Sequence, residues 1–246
     1  MKDNFSLQSN HYSQYRPNYP KEVFDYLAAI TPGHQSAWDV ATGNGQVARG
    51  LVPHFKTIMA TDISERQIEK AFAAHNIQYS IAAAEHTPFN DSSFDLITIG
   101  QAIHWFNFNA FYQEAVRVGK HNAIIAAISY HLLRVDATVD SIIDHFYSGI
   151  LHGYWDPERR YIDEYYRTIP FPFRELEAPT FQMSFEWNPD QLLGFLSSWS
   201  AVQHYRSRNG NDPVELIRKD LFKVWMKDET KTVLFPFFMR VGVIEK

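Results

Sequence analysis

The feature that most constrains the fold of this chain is residues 36–62, where an apolar run, a glycine pair, a helical period and a second apolar run follow one another. The apolar run at 37–41 predicts a buried strand, and Gly43 and Gly45 predict a tight turn after it. Residues 46–52 have the spacing of a helix. A strand, a turn and a helix in this order predict a parallel crossover unit, because parallel strands are joined by such connections.

The second strand of this unit, at 57–61, ends at Asp62. Gly43 and Gly45 let the backbone approach a ligand closely, and the helix start that follows offers free N–H groups. A carboxylate at the tip of the second strand can accept hydrogen bonds from both hydroxyls of a ribose. With Ala48, the glycines also satisfy the loose dinucleotide pattern. This stretch therefore indicates an adenosine-containing cofactor, with an ordinary turn into a helix as the alternative.

Strands and helices continue to alternate beyond Asp62. Ser64 and Gln67 predict a capped helix start, and that helix is expected to extend to about His75. The helix between the fourth and fifth strands is expected to bury Phe108, Phe111, Tyr112, Ala115 and Val116. The further strands are expected at residues 77–82, 95–100 and 122–129, with two late ones at 180–187 and 232–244. This alternation predicts an α/β fold with a parallel sheet and right-handed crossovers.

Two segments depart from the alternation. Residues 9–20 hold two prolines and three tyrosines without a helical period, which predicts an extended arm. The arm is either a surface strap or a lid over the cofactor, with Tyr12 and Arg16 pointing inward. Residues 130–178 hold helical stretches and an aromatic, charged patch at 154–161. They predict an insertion that covers the carboxyl ends of the strands.

Composition excludes several classes of function. The net charge of −5, from 23 basic and 28 acidic residues without a basic stripe, disfavours nucleic acid as a partner. The absence of cysteine excludes disulfides and thiolate metal sites, and no acidic cluster indicates a catalytic metal. No signal peptide and no apolar run of membrane-spanning length are found, so a cytoplasmic protein without a membrane partner is expected. The oligomeric state is left open.

Several motifs, in the right order, resemble those of the class I S-adenosylmethionine-dependent methyltransferases of the methyltransferase type 11 group. They are Asp39-Val-Ala-Thr-Gly-Asn-Gly-Gln46, Asp62-Ile63-Ser64, Ala84-Glu-His-Thr-Pro-Phe89 and Phe94-Asp95-Leu96. A narrower likeness to the subgroup of the fungal trans-aconitate and cantharidin methyltransferases is carried by residues 15–20, 101–106 and 198–202. The resemblance implies a Rossmann-like, doubly wound sheet of seven strands, mostly parallel with an antiparallel last strand.

The resemblance also implies one methyltransferase domain and S-adenosylmethionine as its cofactor. The expected parts are an N-terminal arm and helix at 1–35, a cofactor-binding core at 36–130, a helical insertion at 131–180 and C-terminal strands and helices at 181–246. The cofactor-binding residues implied are Tyr12, Arg16, Asp39, Ala41, Gly43, Gly45, Asp62, Ile63, Ala83, Ala84 and Gln101.

These residues divide between the parts of the cofactor. Asp39, Ala41, both glycines of the turn and Gln101 would line the methionine half, and Asp62 would hold the ribose. Ile63 would pack on the adenine, and the backbone of residues 83–84 would face its edge. Tyr12 and Arg16 would approach the cofactor carboxylate.

Two positions depart from the family pattern. Ala41 replaces the usual first glycine, which is tolerable if its φ is negative. Ala83 stands where an acid often binds the adenine amino group, so adenine recognition there is expected to be weaker or to use the backbone alone.

His104 and Trp105 follow the fourth strand, at the sheet edge where ligands bind in open α/β folds. They are expected to form the wall between the methyl group and a small-molecule acceptor, methylated at a carboxylate or hydroxyl oxygen. His104 would orient a carboxylic acid, or take the proton of a hydroxyl or phenol. The alternative is a buried histidine with one satisfied nitrogen.

Two other functions fit the same glycine turn. An NAD-dependent oxidoreductase is disfavoured because the chain contains no Tyr-x-x-x-Lys sequence. A protein that binds S-adenosylmethionine without transferring methyl stays open, because methyl transfer has no obligatory catalytic side chain. Residues 100–103 lack an Asn- or Asp-Pro-Pro-Tyr motif, which disfavours amino-group methylation of bases.

Overall fold

A seven-stranded sheet organises the part of the chain that the computed structural model describes, residues 16–246. Tyr12 and most of the predicted arm lie outside the described residues. In chain order the strands are β1 (Ser36–Val40), β2 (Thr57–Asp62), β3 (Ile77–Ile81), β4 (Phe94–Gly100), β5 (Gly119–Tyr130), β6 (Arg174–Leu176), β7 (Ser184–Trp187), β8 (Lys231–Leu234) and β9 (Phe237–Ile244). The large sheet has the order β3-β2-β1-β4-β5-β9-β6, and β7 pairs with β8 separately.

The strand directions confirm the predicted α/β class and Rossmann-like sheet. Strands β1 to β5 pair in parallel, while β9 runs antiparallel to both β5 and β6. The carboxyl ends of the parallel strands therefore meet at one edge. Because β1 lies beside both β2 and β4, the turn after β1 opens at the point where the strand order reverses, which is where ligands bind in such sheets.

Helices cover both faces of this sheet. In chain order the helices of the described residues, including those beyond the sheet, are α1 (Lys21–Ile30), α2 (Gln46–Leu51), α3 (Glu65–Ile68), α4 (Phe108–Val118), α5 (Ala137–His145), α6 (Arg160–Asp163), α7 (Pro189–Ser197), α8 (Ser200–Asn209) and α9 (Val214–Val224). Helix α4 buries Phe111, Tyr112, Ala115 and Val118, but Val116 is 37% exposed, so its predicted place on the buried face is wrong. Val116 follows Ala115 by one residue, about 100° around the helix from it.

Alternating side chains of the strands enter two separate cores. On one face, Val40, Ile97 and Ile125 pack with residues of α4. On the other, Ala37, Leu96 and Ile124 pack with residues of α1 and α2. The near-continuous apolar run of β4 follows from this, because both of its faces are covered.

A third core lies beyond the sheet and joins the segment after β5 to the C-terminal helices. It contains buried residues of α5, α7 and α9, among them Val139, Leu196 and Leu221. Pro236 lies between β8 and β9, so the predicted interruption at this proline separates strands of two different sheets. The third core holds the chain between β5 and β6 over the carboxyl edge of the sheet.

Two predicted elements are placed differently in the structure. The sixth strand of the large sheet is β6, within the segment expected to lack a strand, and the predicted strand at 180–187 belongs to the β7–β8 pair. The helix expected to reach His75 ends at Ile68, because the backbone N–H of Phe72 donates to the Asn44 carbonyl instead of continuing the helix. A tertiary hydrogen bond to the glycine turn thus replaces the helical one.

Candidate functional site

The turn between β1 and α2 has two glycines in the left-handed region, Gly43 with φ of 56° and Gly45 with φ of 83°. A Cβ atom at Gly45 would collide with the Tyr79 hydroxyl. A Cβ atom at Gly43 would meet no atom of residues 16–246 within 4 Å. The space in front of Gly43 is therefore open, as a close-lying ligand requires.

Ala41 precedes this turn, and its φ of 51° is also left-handed. The condition under which alanine would be tolerable here, a negative φ, is therefore not met. The turn is fixed by hydrogen bonds from the Thr42 N–H to the Thr61 carbonyl, at 2.9 Å, and from the Gly45 N–H to the Thr42 carbonyl, at 3.0 Å. These bonds hold Ala41 in a conformation that costs a non-glycine residue about 1–2 kcal/mol.

Asp39 lies fully buried beneath the turn. Its carboxylate accepts hydrogen bonds from the Thr42 hydroxyl at 2.5 Å, the Ala48 N–H at 3.0 Å and the Thr98 hydroxyl at 3.1 Å. Burial raises the pKa of Asp39 to about 7, against the opposing effect of these three donors. Asp39 thereby joins β1, β4 and the first turn of α2, where Ala48 offers an N–H without a helical partner.

Asp62, at the end of β2, faces the same turn. Its Oδ2 atom accepts from the Gly43 N–H and its Oδ1 atom from the Ser64 N–H, both at 2.8 Å. Through these two bonds Asp62 joins the glycine turn to Ser64, the residue before α3. Its role as the ribose anchor stays a prediction.

A first cavity, called here the turn cavity, opens at the carboxyl ends of β1, β4 and β5. Its lining residues are Tyr19, Asp39, Ala41, Thr42, Gly43, Asn44, Gln46, Val47, Gly100, Gln101 and Tyr130. It brings together four of the predicted methionine-side residues, Asp39, Ala41, Gly43 and Gln101.

The other predicted cofactor residues do not line the turn cavity. Gly45 ends the turn next to α2, Asp62 is buried at the end of β2, and Ile63 follows β2 in a half-buried position. The Ala82 N–H donates to the Asp62 carbonyl at 3.1 Å, which holds residues 82–84 beside the tip of β2. Ala84 is 1% exposed and its side chain packs in the core.

Gln101 follows β4 with a left-handed φ of 55°. Its backbone N–H donates to the Ile128 carbonyl at 2.9 Å, and its side-chain Nε2 donates to the Tyr130 carbonyl at 3.2 Å. Its Oε1 atom accepts from the Ser129 hydroxyl at 3.0 Å. Strained residues persist only where their surroundings fix them, and here β5 fixes both the backbone and the amide.

A second cavity, called here the tryptophan cavity, meets the turn cavity at Gln101, which lines both. Its lining residues are Arg16, Gln101, His104, Trp105, Trp155, Asp156, Arg159, Ile162, Trp199 and Ser200. His104 and Trp105 thus line one cavity together with Gln101, and their role as the wall of an acceptor site stays a prediction. Trp199, expected to be a core residue, is 5% exposed and also reaches this cavity.

Two guanidinium groups face the tryptophan cavity together with one carboxylate, that of Asp156. Arg16 donates to the Tyr130 hydroxyl at 3.1 Å and to the Ser198 carbonyl at 3.4 Å. Arg16, predicted beside the cofactor carboxylate, therefore lines the tryptophan cavity while it contacts Tyr130 of the turn cavity.

The second guanidinium, of Arg159, is held by its neighbours in the insertion. It donates to the Tyr147 hydroxyl at 2.9 Å and pairs with Asp163 at 3.3 Å. It also lies 5.0 Å from the centre of the Trp155 ring. Two cations and one carboxylate therefore line the cavity, while Asp163 offsets part of the Arg159 charge.

His104 is 5% exposed, and its Nδ1 atom lies 3.2 Å from the Tyr166 hydroxyl. Burial, followed by the nearby charge of Arg159, lowers the pKa of His104 to about 3. The imidazole is therefore neutral at ordinary pH. One nitrogen of His104 has a hydrogen-bond partner, as expected of a buried histidine, and the ring also lines a cavity.

Several residues of the site were not identified individually from the sequence. Trp155, Asp156 and Arg159 lie in the aromatic, charged patch that was predicted to cover the strand ends. Tyr130 and Tyr166 carried no signal, since the first ends a strand and the second lies in an aromatic stretch without periodicity.

Two absences apply to the described residues alone. Within residues 16–246, no group of three or more histidine, aspartate or glutamate side chains could hold a metal ion. In the same range, no helix is both long enough and apolar enough to cross a membrane.

Comparisons with known proteins agree with this geometry. Residues 38–127 match a family described as a methyltransferase domain. A Dictyostelium discoideum protein described as a methyltransferase is 30% identical over 245 residues, covering 96% of this chain and 93% of that protein. A Saccharomyces cerevisiae protein described as an S-adenosylmethionine-dependent methyltransferase is 24% identical over 132 residues, 50% of this chain and 45% of that one.

Among solved structures, one described as a type II methyltransferase from Anaeromyxobacter dehalogenans superposes with a TM-score of 0.87. It is 38% identical, and the match covers 94% of this chain and 99% of that one. Identity at this level over whole chains shows common family membership, which removes the oxidoreductase alternative. The chain belongs to the class I S-adenosylmethionine-dependent methyltransferases.

Proposed function

We propose that the protein transfers the methyl group of S-adenosylmethionine to a carboxylate oxygen of a small molecule bound in the tryptophan cavity. The observation that carries this proposal is the position of Gln101, which lines both cavities. A donor in the turn cavity and an acceptor in the tryptophan cavity would meet at this residue. Holding two reactants in line supplies much of the rate of such a displacement.

The residues around the turn cavity fit the cofactor. The open space and left-handed φ at Gly43 suit a ligand that lies against the backbone. We assign the methionine half to the turn and Gln101, the ribose to Asp62, and the adenine to Ile63 and the backbone of residues 83–84. The bound cofactor supplies a sulfonium methyl group that a nucleophile can displace.

The charges of the tryptophan cavity favour an anionic acceptor. Asp163 offsets part of the Arg159 charge, but both guanidinium groups line the cavity beside one lining carboxylate, that of Asp156. A guanidinium suits a carboxylate because it donates several hydrogen bonds in one plane. The aromatic rings that line this cavity, among them those of Trp105 and Trp155, suit a flat or unsaturated acceptor. The narrower resemblance to the trans-aconitate and cantharidin subgroup is compatible with such an acid.

The protonation state of His104 also favours a carboxylate as the methyl acceptor. A histidine whose pKa lies near 3 is a weak base, so it gives little help to an acceptor that must first lose a proton. A carboxylic acid is already ionised at neutral pH, because its pKa is about 4. His104 is therefore assigned to orient the acceptor, and transfer is not expected to fall between about pH 8 and pH 5.5 through protonation of His104.

Calorimetry with S-adenosylhomocysteine and with NADH tests the cofactor assignment. We expect the protein to bind S-adenosylhomocysteine and not NADH. Tight binding of NADH, with none of S-adenosylhomocysteine, would contradict the proposal.

Variants of the insertion test the acceptor charge. On the best acceptor found among small acids, phenols and amines, Arg159→Met is expected to lower kcat/KM by about 10-fold to 100-fold, because an ionic hydrogen bond is lost. Arg159→Lys, which keeps the charge, should lose less. Arg160→Met, at the exposed neighbouring position, is the matched control. Equal activity of Arg159→Met and Arg160→Met would show that the acceptor does not use this charge.

A further inference from the structure

The guanidinium of Arg159 is hydrogen-bonded at one end only. Its Nε atom donates to the Tyr147 hydroxyl at 2.9 Å and lies 3.3 Å from the Asp163 carboxylate. Within residues 16–246 its terminal nitrogens, Nη1 and Nη2, make no hydrogen bond. Arg159 lines the tryptophan cavity, whereas Tyr147 and Asp163 are not among its lining residues. The partners of Nε therefore lie outside the cavity, and the terminal nitrogens are available to a ligand within it.

The hydrogen bonds at the Tyr147 hydroxyl run in one direction. The hydroxyl donates to the Asp163 carboxylate at 2.7 Å, because an ionised carboxylate can only accept. A guanidinium can only donate, so the Tyr147 oxygen accepts from Arg159 Nε. Burial raises the pKa of Tyr147 to about 12, so the phenol keeps the proton that it gives to Asp163. Tyr147 thus determines which edge of the guanidinium is already occupied.

Two aromatic rings limit the movement of Arg159 further. The central carbon of its guanidinium lies 5.3 Å from the centre of the Tyr147 ring and 5.0 Å from that of the Trp155 ring. The two ring centres are 4.6 Å apart, and Trp155 Nε1 donates to the Tyr147 carbonyl at 3.0 Å. A guanidinium held at Nε and against two rings is preorganised, so it loses little conformational freedom when it binds a ligand.

We propose that Tyr147 is a positioning residue that occupies the Nε edge of Arg159, so that the guanidinium binds an anionic group in the tryptophan cavity end-on, through Nη1 and Nη2. Two parallel donors match the two oxygens of a carboxylate, whereas a phenolate offers one oxygen. Tyr147 thereby gives the cavity a preference for carboxylates over phenolates. This deepens the proposed function, and only the identity of the bound anion as the methyl acceptor rests on that function.

Asp163 is the group that competes with a ligand for Arg159. Its side chain is 40% exposed, and the nearest guanidinium nitrogen, Nε, lies 3.3 Å from its Oδ1 atom. Without the Tyr147 hydroxyl, the Asp163 carboxylate can pair with Arg159 side-on, through Nε and one terminal nitrogen, because parallel hydrogen bonds to a carboxylate are favourable. One terminal nitrogen would then be lost to the cavity. Tyr147→Phe should therefore remove the end-on arrangement and keep the charge.

Nitrogen NMR of the arginine side chains tests the end-on contact, with benzoate as the probe and without cofactor. In native protein labelled with ¹⁵N-arginine, the signals of Arg159 are assigned by their loss in Arg159→Lys. Benzoate is expected to shift the Nη signals and to slow the exchange of their protons with water, while the Nε–H signal keeps its position. A shift of the Nε–H signal as large as those of the Nη signals, or no change in any Arg159 signal, would overturn the proposal.

Calorimetry tests the role of Tyr147 with two flat anions, benzoate and pentafluorophenolate, which has one oxygen. Tyr147→Phe is expected to lower the affinity for benzoate by about 10-fold, because one ionic hydrogen bond is lost, and to change that for pentafluorophenolate little. Tyr165→Phe is the control, since the Tyr165 hydroxyl makes no hydrogen bond within residues 16–246. Equal losses for both anions, as general loosening of the cavity would cause, or native affinity for both, would overturn the proposal.

A second variant covers the case in which Tyr147→Phe does not fold. Asp163→Asn keeps an acceptor oxygen for the Tyr147 hydroxyl and removes the competing charge, so benzoate should bind at least as tightly as to the native protein. Weaker binding would show that Asp163, and not Tyr147, positions Arg159. Because neither cofactor nor methyl transfer is used, failure of this proposal is distinguishable from failure of the proposed function.

Discussion

The carboxylate of Asp62 accepts a hydrogen bond from the backbone N–H of Gly43 at 2.8 Å. The predicted ribose anchor therefore also holds the glycine turn in place before any ligand binds. A variant that removes the carboxylate entirely would release the turn and confuse the two roles, whereas an amide keeps one acceptor oxygen.

Asp62→Asn is expected to weaken binding of S-adenosylhomocysteine by about 10-fold to 100-fold, because a charge-assisted hydrogen-bond pair to the ribose is lost. Calorimetry measures the change. Glu65→Gln, on the exposed side of the next helix, is the control and should bind as the native protein does. Native affinity in Asp62→Asn would remove Asp62 from the ribose site.

We predict that replacing each glycine of the turn by alanine has a different effect on stability and cofactor binding. Gly43→Ala should lower the free energy of unfolding by about 1–2 kcal/mol through its left-handed φ, and abolish cofactor binding by filling the open space. Gly45→Ala should be the less stable variant, because its Cβ also meets the Tyr79 hydroxyl. Urea unfolding and calorimetry measure both, and a Gly43→Ala variant with native affinity would contradict the assignment.

We predict that a substitution at Ala41 stabilises the protein. Ala41→Gly relieves a left-handed strain of about 1–2 kcal/mol and adds up to about 1 kcal/mol of chain entropy to the unfolded state. The expected net gain in the free energy of unfolding is up to about 1 kcal/mol. Ala110→Gly, inside α4, should instead lose about 1 kcal/mol. Equal losses in the two variants would show that Ala41 is not strained.

His104 predicts how stability changes with pH. Its pKa is about 3 in the folded protein against an ordinary value of 6.5, so only the unfolded chain binds its proton between these values. Stability from this group is thus present above about pH 6.5 and is lost as the pH falls, by about 2 kcal/mol at pH 5. His104→Gln should lose correspondingly less between pH 7 and pH 5.

Asp39 changes the free energy of unfolding in the opposite direction over the same pH range. Its pKa is raised to about 7 when folded, so its contribution to stability grows as the pH falls below that value. Comparing the native protein with His104→Gln removes this effect, because both contain Asp39. Parallel stability curves for the two proteins would show that His104 is not buried in its neutral form.

The fold could be predicted from the sequence because buried positions are occupied by apolar residues. Strand β4 lies between two covered faces, so its residues form a continuous apolar run. The glycines of the turn were identifiable because their torsions exclude most other residues. The sixth strand was misplaced because β6 has three residues at the sheet edge and leaves no alternation to detect.

The site could be predicted only in part. Residues on motifs, such as Asp39 and Gln101, were identified, but their contacts were not. Tyr166 lies in a strained turn held by Arg240, far along the chain, and tertiary contacts of this kind leave no local pattern. The left-handed φ of Ala41 was missed for the same reason, since neighbouring hydrogen bonds fix it.

Transfer of a labelled methyl group tests the central claim most directly. The native protein would be incubated with S-adenosylmethionine carrying a deuterated methyl and a panel of small acids, phenols and amines, and the products separated by mass. The proposed function predicts a deuterated methyl ester of a small acid, released as free acid by mild base. A label found on an amine or a phenol, or no labelled product from any acid, would contradict it.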